Sequence, residues 1–268
     1  MTQSIRIWHQ SFTVLSDLGA YNEALEEHFR RVSRPETEIV MHGMRPGTYR
    51  TNYPGDDIKY AGFQWLHGLQ FLQNAIQAEA DGFDAFALST LPEPGLTEIR
   101  QMLSIPVVGY GESAARAAVR DGRKFGALVF IPDLAELYRA NVRRYGLGCR
   151  LVGACPVGFG FADILAAFDD PDYVISEFKQ SARALIAKGA EAIVPGEAPM
   201  NVILTRNGIT EVDGVEVIDC LGTWVKAAES AVDLYRAEGA PSLAGYFEAT
   251  PERERRNELL EYYGICTR

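Results

Sequence analysis

The amino-acid sequence predicts an α/β fold of two similar lobes, each a four-stranded parallel sheet flanked by helices. The first observation is that short β-branched runs alternate with longer segments of helical period, as the strands and crossover helices of parallel sheets do. The second is an internal repeat, in which one strand-and-helix unit recurs about 107 residues further on. We therefore expect a pseudo-twofold relation between a first lobe (residues 1–118 plus 223–268) and a second lobe (residues 119–222), with the active cleft between them.

The predicted strands are short apolar runs, which suit a sheet covered by helices on both faces. In chain order they are Ile5–His9, Glu38–His42, Ala85–Leu88, Pro106–Tyr110, Phe125–Phe130, Arg150–Ala154, Ala192–Val194 and Val215–Asp219.

The predicted helices occupy the segments between these strands. Segment 172–188 shows the helical period clearly, because Val174, Phe178, Ala182 and Leu185 fall on one stripe and Gly189 follows as a C-cap would. In chain order the helices are expected over residues 19–33, 59–81, 95–103, 112–121, 134–145, 172–188 and 222–238, with a charged surface helix within Pro251–Tyr263.

The repeat places two polar residues at equivalent strand ends. Segments Asp81–Thr90 and Lys188–Glu197 each contain a helix end, a glycine, an acidic residue, a short apolar strand and a polar residue at the strand tip. Ligands of open parallel sheets bind beyond the carboxyl ends of the strands, so Thr90 and Glu197 are expected on facing walls of one cleft. Two further pairs extend the repeat: Pro106–Ala115 with Glu216–Lys226, and Ile5–Ser11 with Gly126–Pro132.

The composition of the chain limits which binding partners and which cellular compartment we expect for the protein. The 268 residues include 26 Lys and Arg against 36 Asp and Glu, a net charge of −10, which argues against binding nucleic acid or an anionic membrane surface. The sequence has no run long and apolar enough to span a bilayer and starts without a charged-then-apolar leader. The four cysteines are sparse and lack CxxC spacing, so we expect a cytoplasmic protein without a structural zinc site.

Three segments carry a resemblance to a known family. The run Gly-Phe-Asp-Ala-Phe at 82–86, the run Pro-Gly-Leu at 94–96 and the run Gly-Ala-Glu-Ala-Ile-Val-Pro-Gly at 189–196 resemble the aspartate/glutamate/hydantoin racemase superfamily, nearer its hydantoin-racemase branch. The resemblance covers roughly residues 5–238. It implies isomerase chemistry without a cofactor, a homo-oligomer, and two cysteine thiols that face each other across the α-carbon of the substrate.

Both catalytic cysteine positions of that family are replaced here. Counting back from Pro94-Gly95-Leu96 puts the first on Thr90, with Ser89 beside it, and the second falls on Glu197. The sequence therefore does not encode a two-thiol racemase. None of the four cysteines (Cys149, Cys155, Cys220 and Cys266) lies at either position. Cys149, Cys155 and Cys220 border predicted strands and are expected to be buried structural thiols.

The chemistry available to the replacements is asymmetric. Glu197 is competent as an acid/base, whereas the pKa of the Thr90 hydroxyl is too high for a base, so Thr90 is limited to hydrogen bonding an oxyanion or a water molecule. One base favours proton movement on one face of an enolisable acid, hydrolysis through an activated water, or decarboxylation. A competing interpretation is that Glu197 merely caps its own helix.

Further candidates lie near these two positions. His9 is proposed as a third catalytic residue, either an acid or the partner that activates Thr90 or Ser89, and Arg45 or Arg50 in the loop after the second strand is expected to clamp an acidic substrate under a lid. Backbone N–H groups of Leu91 and Ala198 remain to bind substrate oxygens, because Pro92 and Pro199 have none. The remaining substrate-binding candidates are Ser89, Gln10, Ser11, His42, Tyr49, Gly196, Met200, Glu112, Ser113 and Thr223.

We conclude that the sequence favours a cofactor-independent, racemase- or isomerase-like enzyme acting on a small cyclic amide, lactone or carboxylic acid. A hydrolase that uses Glu197 to activate water and a non-catalytic small-molecule-binding protein remain as alternatives. Gly109-Tyr110-Gly111 lacks the third glycine of a dinucleotide site, and neither a P-loop nor an HExxH run is present, so no cofactor and no metal are expected. Tyr262, Tyr263 and residues around Phe247 are candidates for a subunit interface.

Overall fold

The computed structural model describes residues 3–239 and 249–265, which form an alternating succession of strands and helices. The strands are β1 (Ile5–Gln10), β2 (Thr37–His42), β3 (Ala85–Leu88), β4 (Val107–Gly109), β5 (Phe125–Val129), β6 (Leu151–Pro156), β7 (Ala192–Pro195), β8 (Glu211–Val212) and β9 (Val215–Val217).

The helices cover all the predicted segments, and three further helices are present. Of these three, the sequence analysis had indicated only one, the helix that starts after Glu197. In chain order the helices are α1 (Gly19–Val32), α2 (Gly55–Ile58), α3 (Ala61–Ala80), α4 (Leu96–Met102), α5 (Tyr110–Ala118), α6 (Leu134–Arg144), α7 (Phe161–Ala166), α8 (Asp172–Ile186), α9 (Ala198–Arg206), α10 (Cys220–Glu238) and α11 (Arg253–Tyr262).

Two sheets share one topology. The first has the order β2-β1-β3-β4 and the second has the order β6-β5-β7-β9, so β1 to β4 correspond in turn to β5, β6, β7 and β9. All pairings among these eight strands are parallel. The prediction of two similar α/β lobes is confirmed.

The second sheet differs from the prediction by one additional strand. β8 pairs antiparallel with β9 at the sheet edge, with Val212 opposite Val215. The Asp213-Gly214 turn between them has positive φ at both residues, as a two-residue hairpin turn requires. The second lobe therefore has five strands rather than four.

Helix α10, which follows the last strand of the second lobe, packs on the first lobe. It packs on α1, α5 and β4, and its Trp224 is fully buried against Phe29 of α1. Burial of a large aromatic side chain is worth several kcal/mol, so this helix contributes to the core of the first lobe. These contacts support the proposed assignment of residues 223–238 to the first lobe.

Two residues named in the sequence analysis cannot be compared with the structure. Phe247 and Cys266 lie in the parts of the chain that the structure does not describe.

Within residues 3–239 and 249–265, none of the helices combines the length and the apolar character needed to cross a bilayer.

Candidate active site

A cavity of about 60 Å³ lies where the carboxyl ends of the two sheets meet. A larger groove of about 740 Å³ runs along α1 and the open edge of β2, but none of the predicted site residues lines it. The lining of the smaller cavity comes from strand tips and from helix starts of both lobes: Ser11, Phe12, Thr13, Tyr21, Tyr53, Pro54, Ile58, Ser89, Thr90, Leu91, Pro92, Phe130, Ile131, Leu134, Phe161, Glu197, Ala198 and Pro199.

Glu197 lies at the tip of β7 and is almost completely buried. Its carboxylate crosses to the turn after β5, where Oε1 accepts hydrogen bonds from the N–H of Phe130 (3.0 Å) and of Ile131 (2.9 Å). Its side chain makes no capping hydrogen bond to α9, so the interpretation of Glu197 as a mere helix cap is wrong. Oε2 accepts only a longer bond from the N–H of Phe130, at 3.2 Å, which leaves it a lone pair for a ligand.

Burial decides the protonation of Glu197. Removal from water raises the pKa of this carboxyl to about 8, although the N–H groups of Ile131 and Phe130 act in the opposite direction. A carboxyl group with a pKa near the working pH can both take up and release a proton at useful rates. The electrostatics of this wall therefore suit acid/base chemistry.

Several hydroxyl-bearing residues of the first lobe also line this cavity, and two of them, Ser89 and Thr90, follow β3 directly. Thr90, at the tip of β3, is 7% exposed, and its hydroxyl makes no hydrogen bond to the described residues. The Oγ atom of Ser89 is buried and also has no partner among them. Because an unpaired buried hydroxyl costs about 1–3 kcal/mol, a ligand that bonds to Ser89 would remove this cost, and the Thr90 hydroxyl is likewise available for a bond to a ligand.

The backbone of the strand tips adds donors. The N–H groups of Leu91 and Ala198 donate no hydrogen bond within the described part of the chain. Both residues line the cavity, and the prolines that follow them contribute no N–H. A carbonyl oxygen of a ligand would find one such donor on each wall.

Aromatic side chains cover the mouth of the cavity. Tyr53, from the loop after β2, stacks on Phe161, the first residue of α7, with ring centroids 4.8 Å apart. This contact joins the two lobes. In residues 3–239 and 249–265, no Lys, Arg or His side chain lines the cavity, so this part of the chain offers no cation to a charged acidic substrate.

His9 does not reach the cavity, and its predicted catalytic role is wrong. Its imidazole is fully buried and lies against Phe29 and Trp224, and neither ring nitrogen has a hydrogen-bond partner among the described residues. Burial and the neighbouring His42 lower the pKa of His9 to about 3, so the ring is neutral at physiological pH. Strand β1 continues to Gln10, so His9 is an interior residue of the strand rather than its last residue.

Three other residues near the tip of β1 also lie outside the cavity lining. The Gln10 side chain is bound by Trp8 and by Asn74, and the His42 ring stacks on Trp8 at a centroid distance of 3.4 Å. Tyr49 donates its hydroxyl hydrogen bond to the carbonyl oxygen of Phe12 at 2.6 Å. Tyr49 thus supports a residue that lines the cavity without lining it itself.

The predicted arginine clamp is not formed either. Arg45 is exposed and bonds to the side chain of Gln73 on α3, and Arg50 is also exposed and lines no part of the cavity. The loop after β2 does cover the cleft, but with the ring of Tyr53 rather than with a guanidinium group.

Most residues at the other predicted positions have structural roles. Glu112 forms ion pairs with Arg100 and Arg116, and the hydroxyl groups of Ser113 and Thr223 donate to the carbonyl oxygens four and three residues before them. Met200 is fully buried in the core, and Gly196 lies so close to β5 that a side chain would not fit. None of these five residues lines the cavity: Glu112, Ser113, Thr223, Met200 and Gly196.

The three cysteines within the described residues do not contribute to the site. Cys220 is buried, as expected, and burial raises its pKa; Cys155 is only half-buried and Cys149 is exposed, which the prediction of buried thiols did not anticipate. None of these three lines the cavity. Within residues 3–239 and 249–265, no group of three or more His, Cys, Asp or Glu side chains is arranged to hold a metal ion.

Sequence reasoning missed several residues of the site. The N–H groups that hold Glu197 belong to Phe130 and Ile131, and the match of Ile5–Ser11 with Gly126–Pro132 was the signal that the tip of β5 should line the cleft. Buried Glu93, three residues after Thr90, was also missed.

The fold and the site define a class of protein, namely a two-lobed α/β protein whose cleft presents the carboxyl group of Glu197 and several hydroxyl-bearing residues, among them Ser89 and Thr90. A family model described as Asp/Glu/Hydantoin racemase matches residues 20–228. The chain belongs to this family.

Characterised relatives and solved structures agree with this assignment. The chain is 26% identical to the hydantoin racemase of Pseudomonas sp. (strain NS671) over 248 residues, covering 91% of this chain and 92% of that protein. It is 32% identical to the hydantoin racemase of Rhizobium meliloti over 157 residues, 58% of this chain and 62% of that one. An allantoin racemase from Klebsiella pneumoniae shares the fold, with a TM-score of 0.74 and 24% identity over 93% of this chain and 94% of that chain.

Proposed function

We propose that the protein is a cofactor-independent, isomerase-type enzyme that exchanges the proton on the carbon next to a carbonyl group of a small cyclic amide, with Glu197 as the acid/base. The observation that carries this proposal is the Glu197 carboxyl group itself, which is buried at the cavity wall with a pKa raised to about 8. Members of this family named hydantoin racemases make a hydantoin-type ring the first substrate class to consider.

In the proposed step, a C–H bond next to the ring carbonyl breaks. The proton moves to a carboxylate oxygen of Glu197 and the electron pair passes to the carbonyl oxygen, which becomes an enolate. The hydroxyl groups of Ser89 and Thr90 and the N–H of Leu91 are available as hydrogen-bond donors to that oxygen. Because the described residues place no second carboxyl, His, Lys or Cys in the cavity lining, proton exchange should be faster than inversion.

The lining of the cavity supports a neutral substrate. Burial of an unpaired carboxylate is strongly unfavourable, and the part of the chain that the structure describes puts no cationic side chain in this lining. Aromatic and aliphatic side chains, among them Tyr21, Tyr53, Phe161, Leu134 and Ile58, suit an apolar ring substituent. We therefore expect hydantoins with apolar substituents to be better substrates than aspartate or glutamate.

The size of the cavity implies that the mouth must open for this reaction. A water molecule needs about 10–15 Å³ by the same measure, so about 60 Å³ holds a few water molecules rather than a five-membered ring. The stacked pair Tyr53 and Phe161 is the contact that has to separate.

The test is proton exchange in deuterated water. Wild type should incorporate deuterium at the ring carbon next to the carbonyl of a substituted hydantoin, followed by proton NMR. Glu197→Gln keeps the shape of the side chain but removes the base, so we expect the exchange rate to fall at least about 100-fold. Glu211→Gln, on the exposed edge strand β8, is the matched control and should leave the rate unchanged.

Other outcomes assign the alternatives. A ring-opened product that depends on Glu197 would identify a hydrolase, because the carboxylate would then activate a water in the cavity. A ligand that raises the melting temperature without any turnover would identify a binding protein. Exchange that Glu197→Gln retains in full would contradict the assignment of the base.

A further inference from the structure

The turn that follows Thr90 has an unusual backbone. Glu93 has a φ of 49°, a left-handed conformation that disfavours a residue with a long side chain. Glu93 also precedes Pro94, and a proline restricts the backbone conformation of the residue before it. Such a conformation persists only where surrounding contacts enforce it, and it is found mostly near functional sites.

The contacts that enforce it come from both lobes. The Glu93 carboxylate is buried, and its Oε1 accepts a hydrogen bond from the N–H of Glu112 at the start of α5 (3.0 Å). Its Oε2 accepts one from the hydroxyl of Tyr145, the residue that ends α6 in the second lobe. From the same helix, Asn141 donates through Nδ2 to the carbonyl oxygen of Pro92 at 3.3 Å.

The Gly109-Tyr110-Gly111 sequence provides the space for this carboxylate. A Cβ atom at Gly109 would overlap the Glu93 carboxyl group, and one at Gly111 would lie 3.4 Å from the carbonyl oxygen of Leu91. The glycines that resembled part of a dinucleotide motif therefore allow the start of α5 to approach the turn closely.

Helix α6 also begins beside the other wall of the cavity. Ile131, whose N–H holds Glu197, precedes the helix, and Leu134 at its first position lines the cavity. The far end of the helix carries Asn141 and Tyr145, which hold the turn after Thr90. A single helix thus connects the surroundings of Glu197 to the surroundings of Thr90.

We propose that Glu93 is a positioning residue, which with Tyr145 and Asn141 fixes the turn of residues 90–95 so that the Thr90 hydroxyl faces the ligand across from Glu197. It does not touch the cavity and acts only through Thr90. The catalytic consequence rests on the proposed function, whereas the fixing of the turn does not.

Tyr145→Phe is the informative variant, because it removes one hydrogen bond to Glu93 and keeps the ring. We expect kcat for deuterium exchange to fall about tenfold with KM changed less than twofold, because the Thr90 hydroxyl contributes mainly once the enolate forms. Amide hydrogen exchange of residues 88–96 should become about tenfold faster. The matched control is Tyr173→Phe, which removes an exposed hydroxyl-to-carbonyl bond to Gly158 and should change neither quantity.

A second variant separates positioning from general destabilisation. Glu93→Gln retains the size of the side chain and an oxygen that can accept the N–H of Glu112. We therefore expect the single variant Glu93→Gln to keep more activity than the double variant that combines Glu93→Gln with Tyr145→Phe. Unchanged kcat and unchanged amide exchange in Tyr145→Phe would overturn the proposal. If wild type turns over no hydantoin, the proposed function fails, and the amide exchange of the turn still decides whether Glu93 fixes it.

Discussion

The carboxylate of Glu197 is held by N–H groups of its own lobe, and this fixes how its protonation affects the fold. In the unfolded chain the carboxyl group titrates near its ordinary pKa of 4.5, and in the folded protein burial raises that pKa to about 8. The folded state therefore binds the proton more tightly. The free energy of unfolding should fall as pH rises from 4.5 to 8, by about 1.4 kcal/mol for each unit of pKa difference.

Chemical denaturation at pH 5 and pH 8 checks this prediction. Wild type should lose more stability between the two pH values than Glu197→Gln does, because the amide does not titrate. Burial also raises the pKa of Glu93, to about 7, but that group is present in both proteins and cancels in the comparison. Equal losses in wild type and variant would contradict the prediction.

At the scale of single residues, the repeat in the sequence was a good guide and residue type alone was not. Thr90 and Glu197 were placed by their equivalent positions after two strands, and both line the cavity. His9 was chosen because imidazole is a common acid/base, but side chains alternate along a strand and β1 runs one residue further than predicted. The strand tip therefore presents Ser11 and Phe12 to the cavity instead.

Among the elements, the short helix α2 has a specific effect on the mouth of the cavity. The ring of Tyr53 lies directly over Gly55, where a Cβ atom would overlap it. Gly55→Ala should therefore displace Tyr53 from Phe161 and weaken the closed state of the mouth. We expect KM for a hydantoin to rise about threefold to tenfold while the melting temperature changes little.

Steady-state kinetics measures this effect, and α3 offers the control. Gly62→Ala adds the same methyl group at a helix position with open space around it, so it should leave KM unchanged. A KM that stays constant in Gly55→Ala would show that the Tyr53 ring does not control access.

The elements missed by sequence reasoning are those too short to show a period. Helices α2 and α7 have four and six residues, fewer than two turns. Nevertheless, α2 begins two residues after Tyr53, and Phe161 at the mouth is the first residue of α7. The hairpin of β8 and β9 did leave a signal, because Val212-Asp213-Gly214-Val215 contains an Asp-Gly pair between β-branched residues. Long helices such as α8 were located to within two residues.

For the whole molecule, the internal repeat was enough to predict two lobes and their relation. The lobe boundaries, residues 1–118 plus 223–268 and residues 119–222, stay a prediction. Contacts that join the lobes could not be derived from the sequence, because each pairs residues far apart in the chain, as in Tyr53 with Phe161 and Tyr145 with Glu93.

We also predict that the protein forms a homo-oligomer through the first half of α3. Residues 61–78 contain no Asp, Glu, Lys or Arg, and Trp65 and Leu66 are more than half exposed. Two copies can join such uncharged faces without like-charge repulsion, although each chain carries a net charge of −10. The earlier candidates Tyr262 and Tyr263 lie on a charged helix.

Light scattering coupled to size-exclusion chromatography tests this. Replacement of Trp65 and Leu66 by serine should reduce the oligomer to a smaller species, whereas replacement of Tyr262 and Tyr263 by serine should not. The reverse pattern would move the interface to α11, and a monomeric wild type would contradict the prediction.

The placement of a carboxylate on only one of two equivalent strand tips has a stereochemical consequence. In the proposed step the planar enolate has two faces, and Glu197 is the one carboxyl group among the described residues that line the cavity, so the isotope should return to the face from which the proton was taken. A single enantiomer recovered from deuterated water should therefore carry the label while its optical rotation persists. Loss of optical rotation would follow more slowly, whereas a pair of matched thiols would introduce the label together with inversion.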